Sequence, residues 1–421
     1  MSYFHLSRKS FEKKQRLKTI IFSLKSFFLC LRGYNGKTNK ILGYQLFISI
    51  FSFGKKNKEE LNFTLPKNLN EFELNLIAKY RLKEVEPSTV KFLKNAFVSH
   101  EGLVMKNFAL VKRCAFNLNG KLDNTFGKIF WKLTLEQYLV SKYGKSLKGN
   151  KIKEPLYVVH TKWFNYSFWV TDCLVRLMLL EEEDVLKSAL LIYPEEWDEI
   201  NFVTDSLKAF NVKTYRLPKG EHVFAEQLYL PETRAWTSSF SPTQLQKVRQ
   251  KLVDYAVQQN FESIHSDRIY LTRKSRGVRT IENEDEVIAL LTAHGFSIVD
   301  FGTLTFWEQV TTMHKAVAFV SIHGAGFANI LYMNEGAYVL ELINKSYAEK
   351  EYKFPFYHLA SALNLNYQAQ FGSILTQTKS ELFNYSNDYK ANEANYLVNQ
   401  NIFIDIASLK IKLAALDVTN S

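Results

Sequence analysis

Apolar positions follow two rhythms along the chain, and the second half is the easier to place. From residue 156 onward, short apolar runs alternate with stretches of helical spacing. The run 156–160 (LYVVH) predicts a strand, and 166–183 predicts a helix with Leu174, Leu177, Met178 and Leu180 on or near one face. A buried-type strand follows over 189–193, closed by Pro194, then a helix over 195–210 and a strand over 212–217. This βαβα order implies a mostly parallel sheet covered by helices. Residues 231–242 (PETRAWTSSFSP) are polar, hold two prolines and break the rhythm, as a linker would. Ser241 is placed to cap a helix over 242–259 with proline in its first turn. Beyond it the pattern predicts strand 268–272, helix 283–294, strand 296–300, helix 305–316, strand 317–322, a glycine turn, helix 325–332 and strand 338–343. That is a second α/β unit, of nucleotide-binding type. Upstream of 156 the pattern is mixed: 103–111 (LVMKNFALV) reads as a strand and the Lys/Gly-rich 145–153 as a loop.

The length of 421 residues, 46% hydrophobic and 23% charged, is that of an ordinary globular protein of two domains. Cys30, Cys114 and Cys173 lie far apart, which excludes a CxxC metal knuckle or a disulfide framework and suits a reducing compartment. Charge redraws the picture more sharply. Residues 1–58 hold 13 Lys/Arg against Glu12 alone, so they account for the whole net charge of +12. The remainder is neutral, and no nucleic-acid partner is expected. Within 1–58 the apolar stretches 19–31 and 41–54 are shorter than the ~20 residues that cross a bilayer, and no small-residue cleavage site follows the first. A helix carrying Lys13, Lys14, Arg16, Lys18 and Lys25 beside Phe22, Phe27, Phe28 and Leu31 would lie in the plane of an anionic membrane surface. The alternatives are a basic extension without a partner, or a first core helix with a solvated face. The division expected is a basic segment 1–58, an acceptor-side domain 59–235, a donor-binding domain 240–400 and a terminal helix 401–421.

Three clusters carry candidate chemistry. In 317–343 (VAFVSIHGAGFANILYMNEGAYVLELI) an apolar strand ends at Ile322, and His323, Gly324, Ala325 and Gly326 turn directly into a helix. Small residues let a ligand approach the backbone, and the new helix offers unpaired N–H groups with a partial positive end. Asn329 stands where a dinucleotide fingerprint has its third glycine, and no GK[ST] is present, so neither that fold's motif nor a P-loop is matched. Glu341 closes the next strand, suited either to ribose hydroxyls or to a salt bridge or helix cap. In 268–286 (RIYLTRKSRGVRTIENEDE), Arg273 and Lys274 leave a strand end, with Arg276 and Arg279 behind them. Such a loop is an anion clamp or simply a solvated face. Asn283 opens the following helix, whose acids complement its dipole. In 165–177 (NYSFWVTDCLVRL), Asp172 and Arg176 stand at i, i+4, as an intrahelical bridge or with Asp172 as a general base.

Taken in order, IYLTRK, NEDEV, VSIHGAGFANILYMNEGAYVLELI and the upstream NYSFWVTDCLVRL resemble the family-61 glycosyltransferases, over roughly 156–345. Arg273-Lys274 stand at the family's strand end, Asn283-Glu284 at its helix start, His323–Gly326 with Asn329 at its HGAG loop, and Glu341 at its strand glutamate. Two positions depart: Phe168 replaces a histidine of the first-half helix, and Phe327-Ala328 replace a leucine-threonine pair. The resemblance implies a GT-B architecture of two facing Rossmann-like domains, a nucleotide-sugar held by the second, and transfer with inversion. No Asp-x-Asp occurs, so no metal or other cofactor is expected. The expected function is transfer of a sugar to a glycan or lipid-linked saccharide in bacterial polysaccharide synthesis, on the cytoplasmic side and peripheral to the inner membrane. Phe168 sustains a different reading, a non-catalytic saccharide- or nucleotide-binding subunit of an assembly complex.

Overall fold

The computed structural model describes residues 59–62, 71–80, 82–85, 89–111, 114, 126–143, 149–161, 164–231, 240–263, 265–274, 279–350, 354–375 and 396–418. The basic segment 1–58, with its expected surface helix, lies outside these residues, as does 232–239 of the expected linker.

A two-stranded pair, β1 (Glu59–Asn62) and β2 (Leu82–Val85), precedes the first sheet. That sheet contains β3 (Val90–Ser99), β4 (Val104–Lys106), β5 (Ala109–Leu110), β6 (Gly149–Ile152), β7 (Leu156–Tyr157), β8 (Leu190–Pro194), β9 (Thr214–Leu217) and β10 (His222–Pro231). Its order is β5-β4-β3-β10-β7-β8-β9, with β6 on the upstream half of β10. The β10-β7-β8-β9 portion is parallel, while β3 runs antiparallel to β10 and forms a meander with β4 and β5. The longer helices of this half among the described residues are α1 (Phe126–Tyr143), α2 (Leu174–Glu182) and α3 (Asn201–Lys208).

The second half holds helices α4 (Pro242–Gln258), α5 (Glu284–Ala293), α6 (Phe306–Lys315), α7 (Pro355–Ala362) and α8 (Ile406–Val418). Its sheet is wholly parallel: β11 (Arg268–Leu271), β12 (Ser297–Val299), β13 (Ala318–Ile322), β14 (Tyr338–Asn344) and β15 (Asn366–Gly372), in the order β12-β11-β13-β14-β15. Every residue of β13 and β14 is buried, as expected of a sheet with both faces covered.

Several expectations need correction. Residues 103–111 form not one strand but the β4-β5 hairpin, turned by Asn107 and Phe108 with φ of 50° and 63°. The expected loop 145–153 contains β6. Strand β10, the backbone of the first sheet, falls where no strand was expected; the expected strands do pair in parallel as β7-β8-β9, and the antiparallel part of the sheet is the β3-β4-β5 meander. Residues 195–210 split into a 3-10 turn, Glu195–Glu199, and α3. Residues 325–332 form a 3-10 helix, Ala325–Tyr332, not an α-helix. The helix expected over 166–183 begins as Tyr166–Phe168, widens into a π turn at Trp169–Cys173 and continues as α2. Ser241 precedes α4 but makes no side-chain capping bond.

One apolar core runs beneath both sheets. Trp169, Leu174 and Leu177 from the first half meet Leu245, Val248 and Leu252 of α4, Val310 of α6, and Phe319 and Val339 of the second sheet. Lys251 and Glu181 close its rim at 2.8 Å. The opposite face of the second sheet packs on α5 and α8 through Val287, Leu291, Val320, Leu340, Leu409 and Leu413. No helix among the described residues is long and apolar enough to cross a membrane.

Candidate active site

In the second sheet the chain steps from β11 outward to β12, then returns to place β13 on the other side of β11. The crevice at the carboxyl ends of β11 and β13 is therefore the point where strand order reverses, the place at which open parallel sheets take their ligands. Arg273 leaves β11 there, and His323 leaves β13.

The two arms meet at Gly324. Its backbone is extended, at φ 167° and ψ 174°, so conformation does not demand glycine. Space does: a Cβ at this position would lie 2.8 Å from Arg273 Nη1 and 3.6 Å from Arg279 Nη1. Both guanidiniums thus sit against the His323–Gly326 bend. Arg279, held in the left-handed region at φ 55°, donates from Nη1 to His323 O at 3.2 Å and from Nη2 to Asn399 Oδ1 at 2.9 Å. Its Nε is buried without a hydrogen-bond partner. Burial, and then the like charge of Arg273, bring the Arg279 guanidinium down to about 10, which still leaves it protonated at neutral pH. Two cations converging on one half-buried bend are relieved by an anion, and guanidinium geometry favours phosphate oxygens. Ala325 and Gly326 occupy the first turn of the 3-10 helix, whose leading N–H groups have no partner within the helix by construction. A Cβ on Gly326 would meet Leu271 Cδ2 at 2.9 Å, so that glycine serves packing on β11.

His323 is held from below. Its Nδ1 lies 2.6 Å from Glu341 Oε1, and Tyr367 donates its hydroxyl to Glu341 Oε2 at 2.6 Å. Glu341 is completely buried. Of the two roles open to it, ribose acceptor or salt-bridge partner, the structure shows the pairing with His323 beneath the imidazole. Burial lowers the His323 imidazole from its ordinary value, the Glu341 carboxylate opposes this, and the two arginines add to it. The rings of Tyr347 and Phe356 lie 5.7 and 5.4 Å from that of His323.

Other expected site residues turn elsewhere. Lys274 pairs with Asp285 at 2.9 Å on the exposed surface, outside the arginine pair. Asn283 exchanges two hydrogen bonds with the backbone of Ile404, at 2.9 and 3.0 Å, and so anchors the terminal segment rather than a ligand. Asn329 is buried: its Nδ2 donates to Gly326 O at 2.8 Å, and its Oδ1 accepts from Tyr166 Oη at 2.5 Å. It shapes the bend and ties it to the first half. Arg176 donates to the carbonyls of Pro231, at 3.1 Å from Nε and 2.7 Å from Nη2, and of Val159, so it clamps main chain instead of serving the expected intrahelical bridge. Asp172 is buried within the π turn, which packs against the 3-10 helix after His323. Wide turns of this kind recur at functional sites. Among the described residues no group of three or more His, Cys, Asp or Glu is placed to hold a metal ion.

Sequence reasoning missed Tyr166, Tyr367 and Asn399. Tyr166 lies within NYSFWVTDCLVRL, and its partner Asn329 is far along the chain, so local pattern carries no signal of the pairing. Tyr367 lies on a strand that was not placed.

Residues 166–340 match the family model Glycosyltransferase 61. This stretch of the chain is similar to the glycosyltransferases of family 61. The matched stretch opens at Tyr166, includes the π turn, the arginine pair and the His323 bend, and closes one residue before Glu341. Thus the family-61 region covers both arms of the switch-point crevice, while Tyr367 and Asn399, which steady that crevice, lie downstream of it. No curated protein matches the chain.

Proposed function

We propose that the enzyme moves a sugar from a nucleotide-sugar to a hydroxyl of a glycan or lipid-linked saccharide, with inversion and without a metal, in bacterial polysaccharide synthesis. The observation that carries this reading is the convergence of Arg273 and Arg279 on Gly324 at the switch point of a parallel sheet. The donor diphosphate would lie between these guanidiniums and the N–H groups following His323. The acceptor would come from the first half, in a GT-B arrangement, with Asp172 as the base. In the transfer the acceptor oxygen forms a bond to the anomeric carbon as the bond to the diphosphate oxygen breaks. The proton passes to the base, and the electron pair leaves with the diphosphate, whose growing charge the arginines meet. The lack of an Asp-x-Asp carboxylate pair supports a metal-free transfer. The basic segment 1–58 supports attachment at the cytoplasmic face of the inner membrane, where lipid-linked acceptors are built.

A panel of nucleotide-sugars and nucleoside diphosphates, read by melting shift and by release of free sugar, tests the proposal. The expected result is stabilisation by one nucleotide class, slow hydrolysis of its sugar, and loss of both in Arg273→Ala. Hydrolysis that persists in Arg273→Ala would remove the crevice as the donor site.

A further inference from the structure

Proteins fix which imidazole nitrogen carries a proton by what they place against the other. Here Nδ1 of His323 faces Glu341 Oε1 at 2.6 Å, so any hydrogen bond from this imidazole to a ligand goes through Nε2. The second oxygen of Glu341 is equally committed, to the Tyr367 hydroxyl at 2.6 Å. A carboxylate buried this completely must satisfy both oxygens from the protein, and these two bonds do so. The three residues come from the end of β13, from β14 and from β15, so adjacent parallel strands hand the chain of hydrogen bonds across the sheet to the crevice. Among the described residues, the charged and titratable groups placed around the imidazole are Glu341 below, Arg273 and Arg279 from the β11 side, and Tyr347 from the short helix Lys345–Lys350 after β14. Phe356 of α7 adds an uncharged wall.

We propose that Tyr367 is a positioning residue for the transfer: by donating to Glu341 it engages part of the negative charge of that carboxylate and so sets how readily His323 is protonated when a diphosphate lies beside it. This rests on the donor reading above and adds to it a residue beyond the matched family region. The physical argument has a direction. Removing the tyrosine hydroxyl leaves more of the carboxylate's negative charge to the Nδ1 proton and favours the imidazolium. Replacing the carboxylate by an amide takes that attraction away and disfavours it. An incoming diphosphate adds negative charge and favours the imidazolium in the intact protein.

The test is an NMR pH titration of the His323 imidazole in the full chain, assigned with His323→Gln, with and without inorganic pyrophosphate. Tyr367→Phe is expected to raise the midpoint by about half a unit or more, and Glu341→Gln to lower it by a similar amount. Pyrophosphate is expected to raise it in the unaltered protein. A Tyr367→Phe protein that melts earlier but titrates at the unaltered midpoint would reduce Tyr367 to packing and overturn the inference. Opposite shifts in the two variants together with indifference to pyrophosphate would instead uphold the relay and remove the diphosphate from this crevice. Should Glu341→Gln fail to fold, the Tyr367→Phe midpoint decides.

Discussion

Tyr166 donates its hydroxyl to Asn329 Oδ1 across 2.5 Å, joining the first turn of a helix in one half of the protein to the helix that follows His323 in the other. The same amide holds Gly326 O from its other end. Tyr166→Phe would leave a buried amide oxygen unsatisfied, which costs about 1–3 kcal/mol. Urea unfolding should show a loss of that size. Donor affinity should weaken as well, because the bend loses its outer tie. Unchanged stability would mean that the amide finds another donor.

Gly324→Ala separates anion binding from folding. The backbone there is extended and accepts any residue, but the added methyl would sit 2.8 Å from Arg273 Nη1 and push that guanidinium aside. The far end of a long side chain moves at little cost, so the melting temperature should hardly change. Pyrophosphate affinity, measured by calorimetry, should fall several-fold. Equal affinity in the two proteins would show that Arg273 does not act from this position.

Arg279→Gln should weaken nucleoside diphosphate binding about ten- to hundredfold, since a charge-assisted hydrogen bond contributes about 1.5–3 kcal/mol. Lys274→Gln serves as the contrast. Its ammonium is engaged with Asp285 on the surface and should matter little. Similar losses in both would point to a diffuse basic surface rather than a defined pair.

Acid should destabilise the first half through His160. Burial pushes this imidazole down to about 4, against its bond to His100 O and the charge of Glu196. Unfolded, it takes up its proton near ~6.5. Between these values the unfolded chain binds more protons, so stability present above pH ~6.5 drains away as the pH falls toward 4, by an amount on the order of 3 kcal/mol. Denaturant midpoints at several pH values should trace that slope, and His160→Gln should flatten it.

Asp172→Asn should depress turnover far more than donor affinity, because a base acts on the acceptor proton and not on the diphosphate. Near-normal rates would move that role to another side chain.

Much of the second half was legible because its strands are buried on both faces and read as near-continuous apolar runs. Residues 318–322 and 338–344 are of that kind. Strands β3 and β10 were not legible: VKFLKNAFVS and HVFAEQLYLP mix lysine, glutamate and glutamine into half-exposed positions, and their pairing is set by partners more than a hundred residues away. The same distance hid the roles of individual site residues. Asn283 at a helix start resembles a cap or a ligand until Ile404 is seen to occupy both ends of its amide. Glu341 resembles a ribose acceptor until the fold sets Tyr367 and His323 against its two oxygens. Chain order showed where chemistry would gather, and tertiary packing decided which side chain faces it.

The apolar layer shared by the two sheets has a consequence for how such an enzyme can be divided. Cutting the chain before α4 would strip Leu245, Val248 and Leu252 of their cover on one piece and bare Leu174 and Leu177 on the other. Neither piece would be a detachable cassette, and both would clump in water. Swapping donor halves between relatives to obtain hybrid specificities must therefore carry the matching hydrophobic seam along with the crevice.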